Sequence, residues 1–285
     1  MASLLALIAA ASYGAADFLG GIVTRRATMV SAVLVTQGTG LAMLLLFTPF
    51  MLEARLSRAD LGFGLLAGVM GSAGVALLYL ALAIGPMSVV APVTAVCSVI
   101  IPLAVGLFLG ERPGIGAAVG VALAICAVTL LSQTASAPSR AQVPPPARLG
   151  RGLRVALASG VAIGGFLAAL GQTTAAAGLW PLAISRAVSV TLFLTLAVAT
   201  GRPAGIPRAA VAPALACGGL DMVANALYLI AVRQGQLGLV ATLVSLYPAS
   251  TVLLAWRVLG ERLGPWQQVG VAGAVAAILL IVSNS

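Results

Sequence analysis

The chain has 285 residues, of which 61% are hydrophobic and only 7% are charged, whereas soluble domains carry about 25% charged residues. Its net charge of +9 comes from 15 arginines against 6 acidic residues, with no lysine and no histidine. This composition excludes a soluble globular protein. It predicts an all-α integral membrane protein whose arginines flank membrane segments rather than bind nucleic acid.

Ten apolar segments follow one another along the chain, each long enough for a transmembrane helix. Glycine, proline and arginine separate them, as at Arg112-Pro113-Gly114 and Trp180-Pro181. The first segment begins without positive charge, so we interpret it as a permanent helix and not as a cleaved signal. The predicted helices cover about residues 3–23, 29–50, 61–83, 88–109, 115–132, 153–176, 180–200, 209–231, 238–257 and 265–282.

The two halves of the chain repeat each other at an offset of 150 residues. Leu109-Gly110-Glu111-Arg112 recurs as Leu259-Gly260-Glu261-Arg262, and similar Gly-Val-Ala sequences follow both copies. The sequence therefore predicts a first five-helix repeat over 1–132, a polar, proline-rich linker over 133–152 and a second repeat over 153–285. Because each half has an odd number of helices, the second half must cross the bilayer in the opposite direction. The expected architecture is two inverted five-helix repeats with a site between them.

The repeat also resembles a known family. Ten helices, the Gly-Glu-Arg after the fourth helix of each half, and Ser12–Gly21 in the first helix are similar to the EamA-type transporters of the drug/metabolite transporter superfamily. In the first helix Tyr13 stands where tryptophan is usual. Arg186 resembles an arginine often found in the second helix of each half, and Gln37 takes its place in the first half. The resemblance implies export or exchange of small metabolites, such as amino acids or drug-like compounds, without a cofactor.

Ionisable groups inside membrane helices cost at least about 2.5 kcal/mol each on insertion scales, so they are candidates for function. Asp17 lies in the first helix, Arg186 in the seventh, and Asp221 in the eighth with Asn225 one turn later. Two interpretations of Asp221 remain open. It either forms a buried ion pair with Arg186 that holds the two helices together, or it takes part in binding or proton coupling. Asp17 is either functional or lies near the interface beside Arg25 or Arg26.

The transport route is expected to follow the polar residues. They concentrate on predicted helices one, three, four, six, eight and nine, whereas helices five and ten should be peripheral. Pro248 in helix nine either frees backbone carbonyls to line a cavity or only kinks the helix. The predicted substrate-binding or coupling residues are Tyr13, Asp17, Gln172, Thr173, Arg186, Asp221, Asn225 and Tyr247.

Other functions have less support in the sequence. The absence of histidine and of clustered acids argues against an enzyme and a metal site. We interpret the three cysteines as packing residues. Glu111-Arg112 and Glu261-Arg262 are expected to have structural roles at helix junctions.

A secondary transporter in the cell membrane is the leading hypothesis, and a flippase for lipid-linked or amphiphilic molecules is the alternative. Expected partners are a small-molecule substrate and membrane lipid, with protons as an optional coupling ion, but not nucleic acid, and the chain would act as a monomer or homodimer. The positive-inside rule places the N-terminus outside the cytoplasm, whereas the family resemblance implies the reverse.

Overall fold

The computed structural model describes residues 1–47, 54–84, 87–132, 146–201, 205–260 and 263–284. Within these ranges the chain is helical, without a strand. Its helices are α1 (Ala2–Thr24), α2 (Met29–Phe47), α3 (Arg58–Ile84), α4 (Met87–Phe108), α5 (Ile115–Leu131), α6 (Pro146–Gly171), a 3₁₀ turn (Ala175–Ala177), α7 (Trp180–Ala199), α8 (Arg208–Val232), α9 (Leu237–Val244), α10 (Tyr247–Leu259) and α11 (Pro265–Ser283).

Eight helical segments in the described part of the chain are long and apolar enough to cross a membrane. Two shorter apolar helical stretches, Val93–Phe108 and Ile115–Leu131, lie between them in the sequence. Many large apolar side chains point outward, among them Phe108, Ile115 and Leu279, which are 92%, 87% and 65% exposed. An outer surface of this kind suits lipid, and the prediction of a multi-pass membrane protein is confirmed.

Most helices begin and end close to the predicted positions, with two exceptions. Helix α6 starts at Pro146 and ends at Gly171, so Gln172 and Thr173 follow the helix and are not part of it. The predicted ninth helix is two helices, α9 and α10, which meet at Ser245 and Leu246.

Pro248 contributes to the break between α9 and α10, although Pro102 and Pro213 lie within helices that continue. Proline has no N–H to bond the carbonyl four residues earlier, and its ring clashes with that carbonyl, which here belongs to Val244. Helix α9 ends at Val244, and α10 begins with Pro248 in its first turn, where a missing N–H costs little. In the first repeat the matching residue at the 150-residue offset is Ser98, and α4 runs without a break through this position.

Glycines allow close helix packing, and their contacts repeat between the halves. A Cβ added to Gly120 would lie 2.7 Å from the Cγ1 atom of Ile281. A Cβ added to Gly270, 150 residues later, would lie 2.9 Å from the Cγ atom of Leu131, which is 150 residues before Ile281. A shift of 150 residues thus converts one contact between α5 and α11 into the other. Both contacts occur at glycines, and small residues allow membrane helices to pack closely.

The contacts of the remaining helices also recur between the two halves. Helix α3 packs on α6 as α8 packs on α1, and α3 packs on α7 as α8 packs on α2. Helix α4 packs on α6 as α9 and α10 pack on α1. The largest buried cluster lies where α8 and α9 meet α1 and α6, and it includes Tyr228, Leu229 and Leu243. This arrangement surrounds a central space with helices from both halves.

Candidate functional site

A cavity of about 240 Å³ lies between the two halves of the bundle. This volume lies just below the ~300–1,000 Å³ typical of small-molecule pockets, so it suits a small solute. Helices α1 to α4 and α6 to α10 contribute to its wall, whereas α5 and α11 do not. The lining residues are Tyr13, Asp17, Gln37, Ala67, Gly68, Gly71, Ser72, Val75, Leu78, Ser98, Ile163, Phe166, Leu167, Ser185, Arg186, Ser189, Asp221, Asn225, Val244, Ser245 and Tyr247.

An ion pair between α7 and α8 forms one side of the cavity. The Arg186 Nη2 atom donates to Asp221 Oδ2 at 2.5 Å, which confirms the predicted pairing. The Arg186 side chain is 6% exposed, whereas that of Asp221 is 31% exposed. Arginine is thus the buried partner, and the carboxylate faces the cavity, where a solute can reach it.

Asp17, Tyr13 and Tyr247 form another part of the wall. Asp17 lies one turn after Tyr13 on α1, so the two side chains share a helix face. The rings of Tyr13 and Tyr247 lie 6.3 Å apart at an angle of 56°, a distance within the range of favourable aromatic pairs. Asp17 is an exposed residue that lines the cavity.

Several buried polar atoms of the wall have no hydrogen-bond partner in the described part of the chain. They come from four helices and include acceptors as well as donors. Leaving a buried polar group unpaired costs about 1–3 kcal/mol, so a solute or water that pairs with these atoms is stabilised. The atoms are Tyr13 OH, Gln37 Oε1, Arg186 Nε, Ser189 Oγ and Asn225 Oδ1.

The break between α9 and α10 opens directly onto the cavity, since Val244, Ser245 and Tyr247 all line it. The Ser245 hydroxyl donates to the Thr242 carbonyl at 2.7 Å. Non-helical backbone at membrane depth is tolerated where it lines a cavity, and discontinuous helices are typical of binding sites in secondary transporters.

Six of the eight predicted site residues come together around this cavity, and the other two lie elsewhere. Thr173 donates its hydroxyl to the Leu170 carbonyl at 2.8 Å and accepts from Arg233 Nη2 at 3.1 Å. The backbone N–H of Gln172 donates to the Ala169 carbonyl at 3.1 Å. Both residues close the end of α6 and do not line the cavity.

A polar network surrounds Thr173 at one end of the bundle and joins the two halves. Asp60 accepts from the Thr174 amide at 2.7 Å and from the Thr174 hydroxyl at 3.1 Å, although its side chain belongs to the first turn of α3. Asp60 also bonds Ser57 in a capping box. Arg233 donates to the Gly178 carbonyl at 2.9 Å. Burial lowers the pKa of the Arg233 guanidinium, and the negative charge of Asp60 opposes that shift.

Glu111 makes a further contact between the halves at the same end. Its carboxylate accepts from the amides of Leu237 and Gly238, at 2.5 and 3.0 Å, and so caps the start of α9. A carboxylate at a helix N-terminus pairs orphan N–H groups and complements the helix dipole. The expected structural role of this repeat motif is thus visible at Glu111, whereas Glu261 and Arg262 lie outside the described residues.

Sequence reasoning missed part of the wall. Ser185 and Ser189 lie on α7, the first beside Arg186 in sequence and the second almost one turn later, and this spacing was a usable signal. Asp60 was also missed as a contact between the halves, although Ser57-x-x-Asp60 before an apolar run is a capping-box signature. Helices α2 and α7 were left out of the expected route, but both line the cavity.

The described part of the chain brings no three histidine, cysteine, aspartate or glutamate side chains together. The described residues do bring together a small cavity between two related halves, an ion pair, unpaired polar atoms and a broken helix. The model of the EamA-like transporter family matches residues 1–133 and again 150–283. The chain belongs to the EamA-like transporter family. It is a multi-pass membrane protein of the drug/metabolite transporter superfamily.

Other comparisons bear on the fold alone. A solved structure titled "Crystal structure of protein" is similar over 98% of this chain and 95% of its own, with a TM-score of 0.73 and 16% sequence identity. No curated protein sequence gives a significant match.

Proposed function

We propose that this EamA-like protein is a secondary transporter that exports or exchanges a small metabolite by alternating access through the central cavity. The observation that carries the proposal is the cavity wall, which both repeats build and in which buried polar atoms lack partners. A polar solute that enters a membrane must replace its hydration, and convergent donors and acceptors supply that replacement.

The proposed transporter has ten spans in two inverted repeats, 1–132 and 153–285, on either side of the 133–152 segment. Support comes from the contact exchange between the halves, in which Gly120 meets Ile281 as Gly270 meets Leu131. Exchange of the two halves converts each of these contacts into the other. Contacts related by a twofold axis are reciprocal in this way. With five spans in each repeat, such an axis lies in the membrane plane.

We further propose that the conformation described is closed at the end where α3, α7 and α9 begin. There Asp60 binds Thr174, Glu111 binds the start of α9, and the Arg55 amide donates to the Ala176 carbonyl at 2.8 Å. Each contact joins a residue of the first repeat to one of the second. Alternating access would break these contacts as the halves move relative to each other.

Reconstitution tests the proposal. Purified protein in liposomes would be given a panel of radiolabelled amino acids, amines and sugar derivatives, with and without a pH gradient. We expect saturable flux or counterflow of at least one solute. A response to the pH gradient would indicate proton coupling, and its absence a facilitator. If the protein instead moves fluorescent lipid analogues between leaflets and no solute crosses, it is a flippase and the proposal is wrong.

A further inference from the structure

The charges of the cavity wall do not balance. Among the described lining residues, Asp17, Arg186 and Asp221 are ionisable at neutral pH. The ion pair between Arg186 and Asp221 is neutral as a unit, which leaves the formal charge of Asp17. Within the described residues no arginine forms an ion pair with Asp17. Because Asp17 is exposed to the cavity, water, a proton or a bound cation can compensate this charge, and a carboxylate at membrane depth is costly without one of them.

Aromatic side chains accompany this carboxylate. Tyr13 lies one turn from Asp17, and its ring is 6.3 Å from that of Tyr247. Phe166 contributes a third ring to the wall. A cation over the face of an aromatic ring is stabilised by about 0.5–2 kcal/mol, with the larger values in desolvated sites. Rings beside a carboxylate favour an organic cation over an anion or a neutral solute.

The unpaired polar atoms favour a ligand that donates hydrogen bonds. The side-chain oxygens of Gln37 and Asn225 accept only, and the hydroxyls of Tyr13 and Ser189 can accept. One of the two N–H donors of the Asn225 side chain already donates to the Asp221 backbone carbonyl at 2.7 Å. Arg186 Nε is the one obligate donor in this set. A solute that carries several N–H groups would satisfy more of these atoms than a carboxylate would.

We propose that the cavity takes a small organic cation with N–H donors, namely a protonated amine or an amidine-like compound, with Asp17 as its counter-charge. Tyr13 and Tyr247 would contact the carbon skeleton, and Gln37 and Asn225 would accept from its N–H groups. The inference rests on the proposed transport function, because it assigns the substrate class of the same cavity.

Binding to the purified full-length protein in detergent tests the proposal without requiring flux. Four probes share one skeleton and differ in charge: phenethylamine is a cation at pH 7, phenylalanine a zwitterion, 2-phenylethanol neutral and 3-phenylpropanoate an anion. Isothermal titration is expected to show phenethylamine binding at least about tenfold more tightly than the other three. Loss of one charge-assisted hydrogen bond has an effect of that size.

Variants of Asp17 test whether its carboxylate causes the preference for the cationic probe. Asp17→Asn keeps the shape of the side chain and should weaken phenethylamine binding at least about tenfold, whereas Asp17→Glu should retain the preference for the cation. Arg112→Gln removes an exposed charge outside the cavity and should leave all four affinities unchanged.

The proposal is overturned if phenylalanine, the alcohol or the carboxylate binds as tightly as the amine, if no probe binds at millimolar concentration, or if Asp17→Asn leaves amine affinity unchanged. Any of these results would leave the transport proposal standing as long as the liposome panel shows solute flux.

Discussion

Glu111 and Leu237 are 126 residues apart in sequence, yet the Glu111 carboxylate accepts the hydrogen bond of the Leu237 amide and, with Gly238, caps α9. The first repeat thus supplies the N-terminal cap of a helix in the second. The capped helix is the one that breaks at Ser245 beside the cavity. A change at this cap is therefore expected to affect both folding and the cavity wall.

Glu111→Ala should lower stability by about 0.5–2 kcal/mol, the usual cost of losing a helix cap. Thermal unfolding of the purified protein in detergent measures the effect. Arg112→Gln is the matched control, since Arg112 is the exposed neighbour of Glu111, and its melting temperature should equal that of the wild type. Equal melting temperatures for Glu111→Ala and the wild type would show that the cap does not stabilise α9.

Variants of the Arg186–Asp221 ion pair can distinguish a structural role of this pair from a role in transport. Asp221→Asn leaves the buried Arg186 guanidinium without its carboxylate, and breaking such a pair by one partner costs several kcal/mol when both are buried. The cost should be smaller here because the Asp221 side chain is 31% exposed. The double variant Arg186→Gln, Asp221→Asn removes both charges and should be more stable than Asp221→Asn alone.

Flux in proteoliposomes then distinguishes the two roles. If the pair acts in transport, flux is lost in Asp221→Asn and stays lost in the double variant although stability recovers. Recovery of flux together with stability would assign the pair a structural role only, and the cavity would remain the proposed route.

The paired glycines of α5 and α11 predict matched effects of substitution. Gly120→Leu and Gly270→Leu each place a side chain against the facing helix, where Ile281 and Leu131 leave no room, and overpacking costs typically about 1–3 kcal/mol. Gly38→Ala is the control, because nothing lies within 4 Å of an added Cβ there. Melting temperatures should fall for both leucine variants and not for the control. A fall in only one of them would contradict the equivalence of the two contacts.

Much of this architecture can be predicted from the sequence, because membrane helices are recognisable as long apolar segments. Apolar length marks the spans, and the 150-residue offset marks the halves. The partnership of Arg186 with Asp221 was also predictable, since an unpaired charge in an apolar helix is expensive. These inferences need only composition and local spacing.

The remaining features depend on tertiary contacts. Pro248 allowed either a kink or a break, and only the packed structure shows that α9 ends before it while Ser98 leaves α4 continuous. Thr173 looked like a residue of the sixth helix facing the route, but α6 ends at Gly171 where Thr173 and Thr174 can bind Arg233 and Asp60. The choice between a helical turn and such long-range hydrogen bonds is made by the partner side chains, which the local sequence does not reveal.

Blocking the cavity tests the central claim, that solute passes between the two halves. Val75 lines the cavity on α3 and is partly exposed, and Val275 on α11 is 53% exposed and lies outside it. Val75→Cys and Val275→Cys would each be made in a background without Cys97, Cys126 and Cys217, and reconstituted with a solute from the flux panel. A small membrane-impermeant thiol reagent should abolish flux in Val75→Cys, excess solute should slow that inactivation, and flux in Val275→Cys should persist. Complete modification of Val75→Cys, verified by mass spectrometry, with flux unchanged would contradict a route through this cavity.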